Sequence, residues 1–376
     1  MNALTLFGLL VFWGWLSFSA FVICGLLGFL LYRPRKTERA TVKDLEFVII
    51  SVANQSVKPA LLDCINHHRR QFPERTINLV IDEGCELEPE LRELKAIKLS
   101  VVPSSFRKDL TGKGRAIQYF ISSRNNKTWY AFLDDDNLIL DDSFLHEIPY
   151  YSSRGYAAAN PVLVPRPGKS KTAYTMDFVR LFDDRTIFRF FTGLLSKPLL
   201  GLHGELLIAQ GCTLNSAGTY SQHSITEDYL FSTYINRSHL KTWQSATQIS
   251  IKSPNSVADL IKQRQRWCSG ISSDLRSAPG PQKYLSQYRI ILWKLGGLFS
   301  PLAAVVLLAF RISAPFWLFP LFAIGGSYYY LAYVLGASKS GSIRSFIYIP
   351  FYGIIESYAA LRSRSGQKTF EVIDKR

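Results

Sequence analysis

Between Leu45 and Asp136 short β-branched runs alternate with helix-like segments, and few folds accept that rhythm. Leu45 to Val52 reads Leu-Glu-Phe-Val-Ile-Ile-Ser-Val, and Ile77 to Ile81, Ile97 to Val102 and Trp129 to Leu133 follow it as further short apolar runs. Runs of this length are the signature of strands buried on both faces. Lys58 to Arg70 and Gly114 to Ser123 lie between them with helical character. The alternation predicts an α/β domain with a doubly wound, Rossmann-like, mostly parallel sheet. Ligands of such sheets sit in the crevice at the carboxyl ends of the strands.

The fourth run ends in Asp134, Asp135 and Asp136. Three adjacent carboxylates repel one another. A divalent cation removes that conflict, and Mg²⁺ takes a few carboxylates together with substrate phosphates. The trio therefore reads as a metal–diphosphate site, with a solvated acidic turn as the plain alternative.

Beyond Asp136 the rhythm weakens. An apolar strand is expected near Ala157 to Val164, then a basic, aromatic stretch to about Leu200 and a small-residue segment around Gly211. Asn255 to Trp267 reads as a helix entered through Pro254, with Asn255 or Ser256 as its cap.

Apolar residues gather at the two ends of the chain. Leu6 to Tyr32 contains no charged residue, which is long enough to cross about 30 Å of hydrocarbon. It lacks the basic leading segment of a cleaved signal peptide, and its apolar core is longer than the usual ~7–15 residues. Arg33, Arg35 and Lys36 follow at once, so the positive-inside rule puts the remainder on the cytoplasmic side. Ile290 to Phe310 and Phe316 to Leu335 are two further candidate spans, separated by Arg311. Phe346 to Leu361 is shorter and carries Glu356, so an interfacial or re-entrant helix is expected there. The expected divisions are an anchor at 1–36, a catalytic domain at 44–275, two transmembrane helices within 286–336, and an interfacial helix with a basic tail at 343–376. The net charge of +15 suits a domain that lies against an anionic leaflet and handles anionic ligands. No nucleic-acid motif accompanies that charge, so nucleic acid is not an expected partner. The five cysteines, Cys24, Cys64, Cys85, Cys212 and Cys268, have no metal-ligand spacing and read as free thiols.

Four other groups of residues carry chemistry. Asp82 ends the second run in Val-Ile-Asp-Glu-Gly, where a carboxylate can hold a ribose or base edge, or simply form a turn. Lys113 and Arg115 in Thr-Gly-Lys-Gly-Arg offer positive charge to phosphates at a helix start, or form a solvated basic turn. Thr226-Glu227-Asp228 can supply a general base, or cap a helix. In Gln263-Arg264-Gln265-Arg266-Trp267, Gln263 and Trp267 share a helical face bordered by Arg266. That face can bind diphosphate and stack on a sugar, or lie under a membrane as a basic amphipathic helix.

Taken in order, Asp82, the Asp134–Asp136 trio, Thr226-Glu227-Asp228 and Gln-x-x-Arg-Trp resemble the pattern of membrane-bound family 2 glycosyltransferases, which include cellulose, chitin and hyaluronan synthases. The resemblance covers about residues 44 to 275 and the arrangement of flanking membrane segments. Ser224 to Asp228, Gln-Arg-x-Arg-Trp and the small size look most like egghead-type β-1,4-mannosyltransferases. The resemblance implies a GT-A fold facing the cytoplasm and a divalent metal, Mg²⁺ or Mn²⁺. The implied activity is inverting transfer from a UDP- or GDP-sugar to a lipid-linked or saccharide acceptor. It implies that Asp82 contacts the base, Lys113 the nucleotide phosphates, and Asp134, with Asp135 beside it, the ribose–phosphate side. Asp136, with Asp134, would bind the metal. Asp228, with Glu227 beside it, would be the base, and Gln263, Arg266 and Trp267 would bind diphosphate and acceptor. Asp82-Glu83-Gly84 departs from the family's Asp-Asp pattern but keeps the first carboxylate. Glycolipid glucosyltransferases acting on ceramide or diacylglycerol and processive polysaccharide synthases are alternative relatives. A membrane scaffold without turnover is the non-enzymatic alternative.

Overall fold

The computed structural model describes residues 3–38, 40–110, 112–218, 220, 222–310 and 318–363. The side chains of 3–5, 7–12, 14–17, 20, 297–310 and 318–327 are outside the described residues. The expected strands all form: β1 (Leu45–Ile50), β2 (Thr76–Asp82), β3 (Lys98–Val102) and β4 (Trp129–Asp134). They pair in parallel, and β1 lies between β2 and β4. The order therefore reverses at β1/β4, and the register Ile50 to Asp134 brings both carboxyl ends together there. Such a reversal opens the ligand crevice of a doubly wound sheet.

Strand alternation divides the core between the two faces. Phe47, Ile49, Ala131 and Leu133 face Leu61, Cys64 and Ile65 of α2 (Lys58–Gln71). Val48, Tyr130 and Phe132 face Ile117 and Phe120 of α4 (Gly112–Ile121), which follows the short α3 (Glu88–Arg92). Both faces are covered, which is why these strands are mostly apolar.

The other half of the sheet departs from the expected rhythm. It contains β5 (Leu138–Ile139), β6 (Tyr156–Arg166), β7 (Leu206–Gln210) and β8 (Lys241–Lys252). The full order is β3-β2-β1-β4-β7-β6-β8-β5. β7 runs antiparallel to both β4 and β6, and β5 antiparallel to β8. Antiparallel neighbours need no crossover helix, so the strand–helix rhythm fades in this part of the chain. α5 (Ser143–Ser152), α6 (Lys171–Arg185), α7 (Gly211–Ala217) and α8 (Glu227–Arg237) connect these strands. The basic, aromatic stretch is therefore α6 and a π-helical turn at Arg189–Leu194.

The expected helix at Asn255 to Trp267 is α9 (Val257–Asp274), longer at its carboxyl end and capped by Ser256, whose hydroxyl accepts from Asp259 N at 3.0 Å. α1 (Ala3–Leu31), α10 (Gly280–Phe310) and α11 (Leu318–Ser340) are helical at the ends of the chain, and α1 packs on α10 and α11. Among the described residues no helix is long and apolar enough to cross a membrane. Eleven side chains of the run 6–32, and most of those in the expected spans at 290–310 and 316–335, fall outside them. So do the turn at Arg311 and the tail beyond residue 363. Tyr32 fastens the end of α1 to the domain by donating to Gln244 O of β8 at 2.9 Å. The expected helix at 346–361 is split into α12 (Ile343–Ile347) and α13 (Ile349–Leu361), with Pro350 in the first turn of α13. α13 packs on α9 and α10.

Candidate active site

The acidic trio stands at the β1/β4 switch point, and each member has a different setting. Asp134 pairs with Lys113 Nζ at 2.7 Å, and its side chain is 36% exposed. Asp135 accepts from Ser51 Oγ, just past β1, at 2.5 Å. Asp136 is the most buried of the three, 5% exposed, and its backbone carbonyl accepts from Arg166 at the end of β6. Asn137 donates to Glu205 O at 3.0 Å, which closes the turn against the segment before β7.

Lys113 bridges inward from the start of α4. It donates to Gly204 O as well as to Asp134. Burial favours its neutral form, but Asp134 and Glu227 outweigh burial and raise its pKa, so it stays charged. Asp82 lies at the end of β2, mostly exposed, and pairs with Arg115. Arg115 also donates to Pro103 O and Phe106 O. It therefore braces Asp82 and the loop after β3, while Lys113 faces Asp134 of the trio.

Glu227 and Asp228 open α8. Asp228 Oδ2 accepts from Gly204 N at 2.9 Å, and Oδ1 accepts from Tyr229 N at 2.8 Å. A Cβ at Gly204 would lie 3.3 Å from Asp228 Oδ2, so only glycine lets the backbone approach this closely without displacing the carboxylate. Burial raises the Asp228 carboxyl from its ordinary 3.8 to about 7, and the charges of Glu227 and Glu205 push the same way. Burial also raises Glu227, against the opposing charges of Lys113 and Arg266. Lys113, Gly204, Glu227, Asp228 and Tyr220 line one small cavity.

Thr226 occupies the cap position of α8 without capping it. Its hydroxyl donates to Asp274 Oδ2 on α9 at 2.9 Å, and Ser224 Oγ donates to the same oxygen at 2.6 Å. Gly270 lets α9 approach, since a Cβ there would collide with the Thr226 side chain. The carboxylate segment and the Gln-x-x-Arg-Trp helix are thus joined directly.

On α9, Gln263 and Arg264 are buried and Trp267 is half-buried. Arg264 donates to Asp177 Oδ1 at 2.7 Å, to Glu356 Oε1 at 3.1 Å and to Gln263 Oε1 at 2.8 Å. The guanidinium carbons of Arg264 and Arg180 stand 4.6 and 4.8 Å from the centre of the Trp267 ring. Arg180 pairs with Glu205, next to Gly204. A larger cavity, about 160 Å³, lies beyond Trp267 and Arg180. Phe18, Phe21, Trp293 and Tyr329 are among its walls.

Lys113, Asp134, Glu227 and Asp228 come together, Trp267 joins them through Arg180, Glu205 and Gly204, and Asp82 ends β2 with Arg115 as its partner. Arg180, Glu205, Asp177, Asp274, Glu356 and the pair His203–Asp184, 2.6 Å apart, were not anticipated. No local motif marks them. Glu356, a carboxylate within an apolar run, is the one whose setting was visible beforehand. Among the described residues no three His, Cys, Asp or Glu side chains stand together as a metal site. The oxygens of Asp134 and Asp136 are hard donors that suit a divalent ion sharing a diphosphate, which would supply the missing ligands.

Comparison with known proteins shows what the chain is similar to. Residues 129–337 match the family model described as glycosyl transferase family group 2. The β-1,4-mannosyltransferase bre-3 of Caenorhabditis briggsae is 25% identical over 277 residues, covering 68% of this chain and 59% of bre-3. The β-1,4-mannosyltransferase egh of Drosophila melanogaster is 22% identical over 277 residues, 70% of this chain and 60% of egh. The chain thus spans about three fifths of the length of the curated relatives it matches. A mannosyltransferase of Pyrobaculum calidifontis, solved with GDP-Man and Mn²⁺, shares the fold with a TM-score of 0.54 and 14% identity, covering 92% of this chain and 99% of that one. The family match covers more than half of the 376 residues, and the chain belongs to glycosyl transferase family group 2.

Proposed function

We propose that this chain is a membrane-anchored, inverting glycosyltransferase that moves a sugar from a UDP- or GDP-sugar to a lipid-linked or saccharide acceptor. GDP-mannose is the first donor to test, because the curated relatives are mannosyltransferases and the structural neighbour was solved with GDP-Man. One observation carries the reading. The Gly204 peptide accepts from Lys113 and donates to Asp228, so the cation beside Asp134 and the carboxylate of raised pKa belong to one cavity.

In this reading Asp228 removes the proton of an acceptor hydroxyl. The hydroxyl oxygen bonds to the anomeric carbon from the face opposite the diphosphate, and the bond to the diphosphate breaks. A pKa near 7 suits a base at neutral pH. Lys113 and Arg266 face the negative charge that grows on the departing diphosphate. Asp136 and Asp134 would hold Mn²⁺ or Mg²⁺, which acts as a Lewis acid toward that diphosphate. Asp82 would hold the base, Asp134 and Asp135 the ribose–phosphate side, and Gln263 and Trp267 the acceptor. The large cavity with aromatic walls beside Trp267 favours an acceptor with an apolar portion.

The donor reading predicts release of GDP or UDP from one member of a nucleotide-sugar panel with Mn²⁺ or Mg²⁺. Release from no member would defeat it. The membrane reading rests on the uncharged run Leu6 to Tyr32 and on the 29-residue α1, about 44 Å long at 1.5 Å per residue. Arg33, Arg35 and Lys36 favour a cytoplasm-facing domain. The full chain is expected to stay with membranes in alkaline carbonate, and its release would remove the anchor from the proposal.

A further inference from the structure

α13 is an apolar helix that carries one carboxylate, Glu356, 12% exposed, and that carboxylate reaches the acceptor motif through another residue. Arg264 is the interior residue of Gln-Arg-Gln-Arg-Trp, not one of the residues expected to touch ligand. Its side chain is 3% exposed and is held by Asp177 of α6 and Glu356 of α13. The second oxygen of Glu356 accepts from Trp293 Nε1 of α10 at 3.0 Å. The same guanidinium donates to the Gln263 amide oxygen and lies against the Trp267 ring. Arg264 therefore ties α6, α9 and α13 together, Glu356 extends the link to α10, and two of the groups Arg264 touches are the proposed acceptor-side residues.

We propose that Glu356 is a positioning residue: through Arg264 it fixes the side chains of Gln263 and Trp267, so that α13 sets the geometry in which the acceptor is held. The physical reason is directional. A guanidinium presents its donors in a rigid planar fork. With Asp177 and Glu356 as acceptors, two sides of the fork are fixed, and the remaining donor and the plane of the group are fixed with them. Gln263 and Trp267 then have one arrangement. Without the Glu356 carboxylate, the fork can turn about its contact with Asp177, and the ring loses its support.

The proposal rests on the acceptor reading of Gln263 and Trp267 given above, and its test separates the two. Full-length Glu356→Gln and wild type are compared with GDP-mannose, or the active donor of the panel, and octyl β-glucoside as acceptor. The KM for octyl β-glucoside is expected to rise about tenfold with kcat within about twofold, and donor hydrolysis without acceptor should be unchanged. Glu356→Asp, which keeps the charge, should recover part of the loss. In parallel, both proteins are labelled with 5-fluorotryptophan, and the ¹⁹F resonance of Trp267 is assigned from Trp267→Phe. It should shift or broaden in Glu356→Gln, while wild-type thermal stability would show only that the fold is intact. An unchanged Trp267 resonance, or an unchanged acceptor KM in an active enzyme, overturns the proposal. If wild type releases no nucleotide from any donor, the glycosyltransfer reading falls and the fluorine resonance still decides the positioning role.

Discussion

The two sides of the cleft are built differently. The proposed donor side stands on strand ends: Asp82 and Asp134 close β2 and β4 with side chains 62% and 36% exposed, each beside one cation. The proposed acceptor side stands on helices, where Arg264 and Asp177 are 3% and 0% exposed and Arg264 has two carboxylates. Exposed pairs contribute little to stability, and buried ones cost much when one partner is lost. The donor side is therefore open to reassembly around an arriving diphosphate, whereas the acceptor side is assembled before any ligand comes.

The widest test of that contrast is at the seam. Asp228→Asn should reduce transfer by roughly 10²–10⁴-fold while nucleotide binding survives. Normal transfer would mean that the base lies elsewhere. Wild-type kcat/KM should fall on the acid side of about pH 7, where Asp228 takes up its proton, and the residual activity of the variant should lack that limb. Stability should move the other way. The folded protein prefers Asp228 protonated, so the stabilisation it provides is complete below its ordinary 3.8 and lost as pH rises to about 7. Asp228→Asn should therefore melt above wild type at pH 8, with the gap closing toward pH 4.

A narrower test compares the two sides directly. Arg264→Met leaves Asp177 and Glu356 uncompensated and should cost about 3–5 kcal/mol of stability. Asp82→Asn, at an exposed pair, should stay within about 0.5 kcal/mol. Equal losses in thermal or denaturant unfolding would erase the distinction between an open and a preassembled half.

The same division governs what could be read from the sequence. β1 to β4 were legible because strands covered on both faces are apolar at most consecutive positions, as Phe47, Val48 and Ile49 are. β8 was not. It buries Thr242, Gln244, Ser245, Thr247 and Ser250, and their hydrogen bonds to distant partners leave no periodic apolar trace. Asn160 to Gln244 at 3.0 Å spans 84 residues. The candidate site followed the same rule. Asp134, Asp228 and Trp267 sit in short contiguous motifs and could be named in advance. Arg180, Glu205 and Asp177 gain their roles from partners across the fold, 87 residues away for Asp177 and Arg264. Thr226 showed the limit of local reasoning in a motif. Capping was one reading of Thr226-Glu227-Asp228; Thr226 takes the cap position, but tertiary contact turns its hydroxyl to Asp274.

The bond between Arg264 and Glu356 also has a consequence in time. The two residues are 92 positions apart, and a ribosome adding about 5–20 residues per second needs roughly 5 to 20 s to cover that distance. During that interval the strands, the acidic trio and the whole Gln-x-x-Arg-Trp motif already exist, but Arg264 lacks one of its two carboxylates. Synthesis therefore finishes the donor half first, and the acceptor half is complete only once α13 has emerged. A transcript cut short before Glu356 would encode every signature residue of the family and still leave that half unassembled.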